Sequence, residues 1–265
     1  MFSSILTVVE VYATVSDADG RAVAGLRREN FVVLENGERQ TVTTFVDADF
    51  PLSTALAIDR SASMTGESLA LAKVAANAFL KELGPADKAM IVAIGTDVQI
   101  VSPLSTDRVA QQTAIRGLDP QGTTALNDAI IKAIDGTLPS TGRRAVVLLS
   151  DGIDRYSRAT GDQVLAHARA ANVPIYPVAF GEERSQFFAQ LAALSGGRFF
   201  HVTDAAQLPN TLRQIAAELR HQYLLGYTPS RPIETGRAEW RAIEVKVVRP
   251  GLQVRARDGY QTKEP

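Results

Sequence analysis

The sequence predicts an α/β protein: a doubly wound, mostly parallel sheet with one antiparallel edge strand, plus a smaller β-sandwich-like domain built from both chain ends. Three observations predict it. The middle of the chain alternates short, nearly continuous apolar runs with segments of helical periodicity, the pattern of a parallel sheet covered by helices on both faces. Two neighbouring apolar runs there are separated only by Thr96 and Asp97, too few residues for the crossover that a parallel pair needs. Both ends of the chain alternate apolar and polar residues with a period of two, as half-buried strands do.

The elements follow in chain order. Residues 7–15 place Val9, Val11, Ala13 and Val15 on one face, and "DADG" (17–20) makes a turn. Within 30–46, Asn36-Gly37 is a strong hairpin signal. "TALAID" (54–59) is a short apolar strand, after which Leu69, Ala72, Ala76, Phe79, Leu80 and Leu83 form one helical stripe over 68–83. "KAMIVAIG" (88–95) and the following "VQIVS" form a hairpin whose second strand lies at the sheet edge. Helices are expected around 106–117 and 125–136, then a strand at 145–151 ("AVVLLSD") and a helix near 161–171. A strand at 174–181 ("PIYPVAFG"), a helix near 185–195, a strand at 198–202 ("RFFHV") and a helix near 205–220 complete the middle. From Trp240 the alternation returns, with Ile243, Val245 and Val247 facing one way, and "RPG" turns into "LQVRAR" (252–257).

This divides the chain into an N-terminal β segment (1–50), an α/β domain (51–220) and a C-terminal β segment (221–265). Neither terminal segment has enough strands to bury a core alone, so the two are expected to pair with each other, the alternative being that each packs separately on the α/β domain.

Composition narrows the function. The 265 residues are 45% apolar and 22% charged with a net charge of −1, which provides no broad cationic surface and argues against a nucleic-acid partner. The absence of cysteine removes disulfides, thiolate nucleophiles and cysteine zinc sites. His167, His201 and His221 stand far apart, which argues against a zinc hydrolase, and His201 in "RFFHV" reads as a strand residue. No apolar run approaches the roughly 18 residues of a membrane span. The first residues lack the basic start and small-residue cleavage site of a signal peptide, leaving an intracellular location and a removed export signal both open.

In an open α/β sheet the site forms beyond the carboxyl ends of the strands. Three polar groups stand there: Asp59, Ser61 and Ser63 after the first core strand; Thr123 and Thr124 before a helix; and Asp151 after another buried strand. Singly, each has an ordinary explanation. Ser63 or Thr65 could cap the next helix, Thr123 or Thr124 theirs, and Asp151-Gly152 could be a turn. Asp97 and Asp154 read as solvent-facing turn residues. Jointly, carboxylates and hydroxyls without His, Cys or Lys form an all-oxygen set suited to a hard cation such as Mg²⁺, Mn²⁺ or Ca²⁺. Because most donors are neutral, such an ion keeps much of its charge and favours an anionic ligand at an open position. That chemistry suggests binding of a partner's carboxylate, not cleavage. There is no GxSxG, no Walker phosphate loop, and no identifiable general base.

"DRSAS" fits the DxSxS pattern of the von Willebrand factor type A domain, "GTTALNDAI" resembles its threonine loop and "LLSDG" its second aspartate loop, in the same chain order. The resemblance implies a metal-ion-dependent adhesion site in which Asp59, Ser61, Ser63, Thr124 and Asp151 are ligands, several directly or through water. Thr124 is preferred to Thr123 because the family pattern runs Thr-Ala-Leu before the helix. Two positions depart from the pattern: Ala62 replaces the usual glycine, and Arg60, expected to point to solvent or else to attract an anion, replaces a small or polar residue. The flanks resemble those of an exported, mostly bacterial group first noted in Acidobacteria, which implies an extracytoplasmic location. The expected function is a non-enzymatic module whose bound divalent cation, Mg²⁺ first, coordinates an Asp or Glu carboxylate of a protein or peptide partner. A scaffold whose metal only stabilises loops, and a metal-dependent hydrolase, are the alternatives.

Overall fold

The computed structural model describes residues 8–47, 50–181, 184–233 and 238–262. The amino-terminal stretch 1–7 and part of the loop at 227–240 lie outside the described residues. In chain order the strands are β1 Val9–Ser16, β2 Phe31–Glu35, β3 Glu38–Gln40, β4 Val42–Val46, β5 Leu52–Asp59, β6 Lys88–Ile94 and β7 Gln99–Ser105. They continue with β8 Arg143–Ser150, β9 Ile175–Phe180, β10 Phe200–Val202, β11 Gln222–Tyr227, β12 Trp240–Val247, β13 Gln253–Arg255 and β14 Gly259–Gln261. The helices are α1 Glu67–Glu82, α2 Arg108–Arg116, α3 Leu126–Thr137, α4 Gly161–Ala171, α5 Gln186–Ser195 and α6 Leu208–Arg220.

The chain divides into two compact units: Phe50–Arg220, and Met1–Asp49 combined with His221–Pro265. The first holds a mixed sheet of order β10-β9-β8-β5-β6-β7, parallel except for β7. Every residue of β5 and β9, and every residue of β8 except Arg144, is buried, which is why these strands read as continuous apolar runs. Side chains alternate between two cores. Leu56 and Ile58 pack toward Phe79 of α1 and Leu212 of α6, while Ala55 and Ala57 pack toward Ile130 of α3 and Leu191 of α5. Strand β7 hairpins onto β6, with Val92 opposite Ile100, and runs three residues beyond the expected "VQIVS" segment to Ser105. Pro103 is tolerated within it because an edge strand does not need every N–H.

Helix starts follow local chemistry where a cap is present. Asp107 accepts from Ala110 N at the start of α2, Thr160 and Gln163 form a capping box on α4, and Ser185 accepts from Phe188 N on α5. The final helix begins with a 3-10 turn at Ala205–Gln207, and Pro209 lies in its first turn, where the missing N–H has no intrahelical partner.

The second unit holds two four-stranded sheets, β13-β1-β11-β4 and β14-β12-β2-β3. Strand β1 pairs antiparallel with β11 and β13, and β2 with β12, so each sheet combines strands from both chain ends. The β2–β3 hairpin turns at Asn36 and Gly37, both at positive φ (49° and 83°), which these residue types adopt at little cost. Val11, Ala13, Tyr223 and Leu225 of one sheet and Phe31, Val33 and Ile243 of the other share one apolar core. That core also encloses a charged pair, Glu35 and Arg241, at 3.0 Å.

Candidate metal centre

The carboxyl edge of the six-stranded sheet gathers three loops. Strand β5 ends in Asp59, whose side chain is fully buried. The chain then reverses so that Ser61 N donates to Asp59 Oδ1 at 2.8 Å. Ser61 Oγ and Ser63 Oγ lie 3.0 Å apart, and Ser63 Oγ donates to Asp151 Oδ2 at 2.7 Å. Asp59, Ser61, Ser63 and Asp151 are therefore linked in one hydrogen-bonded chain, through Ser61 N and the two serine hydroxyls, running from the buried Asp59 to the exposed Ser63. Strand β8, parallel to β5 and adjacent to it, places Asp151 on the same crest.

The threonine loop closes the third side. Gln121 N donates to Arg60 O, Ala62 N to Gly122 O, and Ala125 N to Gly95 O. Gly122 sits at a φ of +70°, and a Cβ there would lie 2.2 Å from Thr96 Oγ1, so only glycine fits. Thr124 is buried at 1% exposure, and its carbonyl accepts from Arg155 N and Tyr156 N of the Asp151 loop. The backbone thus ties Thr124 to that loop, whereas among the described residues no hydrogen bond joins its hydroxyl to the other four side chains.

Electrostatics single out Asp59. Burial pushes its carboxyl above the ordinary carboxylate range, hydrogen bonds from Ser150 and Ser61 pull it back, and the neighbouring Asp151 charge raises it again. Among the described residues neither Asp59 nor Asp151 forms an ion pair. A buried carboxylate that faces a second acid and has only neutral donors lacks a positive charge. The donor chemistry, two carboxylates and neutral hydroxyls linked through hydrogen bonds of 2.7–3.0 Å, fits a hard divalent cation. No group of three or more His, Cys, Asp or Glu side chains converges anywhere among the described residues. Any cation here therefore depends on hydroxyl oxygens.

Several single-residue expectations change. Ser63 and Thr65 do not cap α1, which starts after Gly66; the Ser63 hydroxyl is turned to Asp151, and Thr65 Oγ1 donates back to Ala62 O. Thr123 and Thr124 do not cap α3 either. That helix begins without a local cap, and Asp154 Oδ1 accepts from Leu126 N and Asn127 N at 2.8 and 3.2 Å. Asp154 is thus an exposed residue, as expected, that also serves as a cap supplied from another loop. Arg60 does not point to solvent, being only 9% exposed. The sequence reasoning also missed Ser150, fully buried, whose hydroxyl donates to Asp59 Oδ2 at 2.7 Å. Its signal was a polar residue closing an otherwise apolar strand. His201 lies in β10, its Nε2 3.0 Å from Gly181 O.

Residues 54–153, which include all five expected ligands, match the family model of the von Willebrand factor type A domain. Over 191 residues the chain is 28% identical to inter-alpha-trypsin inhibitor heavy chain H1 from Sus scrofa, a match covering 64% of this chain and 21% of that protein. The chain thus spans about one-fifth of the length of that relative. Among solved structures, a von Willebrand factor type A protein from Catenulispora acidiphila superposes with a TM-score of 0.59 at 15% identity, over 96% of this chain and 74% of that one. Proximal thread matrix protein 1 from the mussel byssus, described with a zinc-occupied MIDAS motif, superposes with a TM-score of 0.59 at 16% identity, over 71% of this chain and 49% of that one. At these identities the likeness establishes the fold.

Proposed function

We propose that the von Willebrand factor type A domain matched at residues 54–153 is a divalent-cation-dependent protein-binding module of the adhesion type. Asp59, Ser61, Ser63, Thr124 and Asp151 would hold the ion, and a protein or peptide partner would supply an Asp or Glu carboxylate. The observation that carries this reading is Asp59: fully buried, hydrogen-bonded to neutral donors, and facing Asp151 with no cation of the protein between them. When bound, the ion supplies the missing charge and attracts an anion. The chain's own part is to hold the oxygens: Ser150 and Ser61 N orient Asp59, and the Ser63 hydroxyl orients Asp151.

Mg²⁺ is the expected ion, with Mn²⁺ and Ca²⁺ as alternatives, since oxygen-only donors suit hard cations. The zinc-occupied motif described for the mussel byssus protein supports a divalent ion at this place in the fold. The reading is non-enzymatic: among the described residues the crest supplies oxygen donors and no histidine or lysine hydrogen-bonded to them as a general base. An extracytoplasmic location follows from the resemblance of the flanks to exported bacterial proteins. The proposed organisation is a type A domain over 51–220 inserted into a β-sandwich-like domain formed by 1–50 and 221–265. It is supported by the pairing of β1 with β11 and of β2 with β12.

Thermal unfolding with and without cation tests the proposal. At a cation concentration one hundred times Kd, mass action stabilises the folded unit by about 2.7 kcal/mol, a rise of about 5–10 °C for a domain of this size. Asp59→Ala is expected to abolish the rise, and a wild-type protein unresponsive to millimolar Mg²⁺ and Mn²⁺ would overturn the reading.

A further inference from the structure

Arg60 follows Asp59 directly and is a guanidinium enclosed at the crest of the sheet without a counter-charge. It is 9% exposed. Its Nη1 donates to the Asp119 carbonyl at 3.4 Å, the long limit of a hydrogen bond, and its Nε is buried without any partner. Among the described residues no carboxylate forms an ion pair with it. The backbone around it is well tied: Arg60 N donates to Ile94 O, and Arg60 O accepts from Gln121 N. Gly95 lies beside it and makes room for the Gln121 carbonyl, from which a Cβ would lie only 3.0 Å away.

A buried charge of this kind is costly unless it is paired and hydrogen-bonded. The buried Arg241 meets that condition, donating to Glu35 and Glu239. Arg60 does not, and it stands between the Asp59 loop and the 119–124 loop, the two loops that flank the candidate cation site. A guanidinium offers a planar fork that matches a carboxylate.

We propose that Arg60 forms an anion subsite beside the cation site, so that the partner is an acidic peptide offering two carboxylates, one to the cation and one to the Arg60 guanidinium. This rests on the cation-binding reading above. It adds a selection rule: a single acidic residue satisfies half of the site, and two nearby acidic residues satisfy both halves.

The test compares N-acetyl-Glu-amide with N-acetyl-Glu-Glu-amide by NMR titration of the full chain in saturating Mg²⁺, following the Arg60 side-chain Nε–H resonance. The diacidic peptide is expected to bind about tenfold more tightly, as one additional charged hydrogen bond allows, and to shift that resonance. Arg60→Met and the polar Arg60→Gln are expected to erase the advantage while keeping the Mg²⁺-induced rise in Tm. Equal affinity for the two peptides in the wild type, an unmoved Nε–H resonance, or an advantage that survives in the folded variants, each with the Mg²⁺ response intact, overturns the Arg60 subsite alone. A wild type without a Mg²⁺ response overturns the cation reading and the subsite with it.

Discussion

Two fully enclosed acids in this molecule are treated in opposite ways. In the β unit Glu35 accepts from Arg241 Nη1 at 3.0 Å, from the Tyr227 hydroxyl at 2.7 Å and from the Tyr260 hydroxyl at 2.9 Å. Its charge is matched within the fold. In the α/β unit Asp59 receives only a backbone N–H and hydroxyls, and faces Asp151. The first arrangement is complete and serves stability; the second has no matching positive charge among the described residues, which is what the proposed cation would supply. The difference teaches that burial alone does not mark a site, whereas burial with an unmatched charge does.

Breaking each arrangement should have opposite consequences. Arg241→Met strands Glu35 inside the β core and is expected to cost about 3–5 kcal/mol, read from chemical denaturation, with no dependence on Mg²⁺. Asp59→Asn removes an unmatched charge while keeping an oxygen for Ser61 N. In chelator it is expected to be neutral or to stabilise by about 1 kcal/mol, and to lose the cation-induced rise in Tm. If instead Asp59→Asn destabilises the chelated protein as strongly as Arg241→Met does, the contrast collapses.

Smaller effects sharpen the same comparison. Asp154→Ala removes the long-range cap of α3 and should cost about 1 kcal/mol, while preserving cation binding, since Asp154 contacts the helix start and Ser157. A loss of cation binding in that variant would place Asp154 in the site instead. The smallest effect concerns alkaline pH. Burial, reinforced by Glu35, pushes the phenols of Tyr227 and Tyr260 well above the ordinary tyrosine range. The unfolded chain ionises these groups from about pH 10, whereas the folded chain keeps them protonated, so their contribution is present below that pH and lost as pH rises. Tyr227→Phe should therefore flatten the alkaline decline in Tm, and an unchanged decline would remove Tyr227 from its cause.

The strands of the α/β unit were legible because buried parallel strands write themselves as runs such as "TALAID" and "AVVLLS", and the two-residue gap at Thr96 and Asp97 announced the edge hairpin. Asp59, Ser61, Ser63 and Asp151 were legible for a different reason: each lies at or just beyond the carboxyl end of a buried strand, where this architecture exposes polar groups. What escaped were interactions made across sequence distance. Nothing local marks Asp154 as the cap of a helix beginning 28 residues earlier, nor Ser150 as the donor to an acid 91 residues away. The buried Glu35–Arg241 pair escaped for the same reason, since in a period-two pattern both positions look like ordinary strand charges. Arg60 was misjudged because a lone arginine in a loop carries no sign of its burial or of the Asp119 carbonyl that its guanidinium reaches.

The central claim is that the crest around Asp59 takes one divalent cation. Titration of the full chain with Mn²⁺, followed by electron paramagnetic resonance of the free ion, tests it most directly. One ion bound per chain, displaced by Mg²⁺ and lost in Asp59→Ala but retained in Asp154→Ala, is the predicted result. Mn²⁺ that stays free at millimolar protein, or that binds Asp59→Ala as well as the wild type, would contradict it.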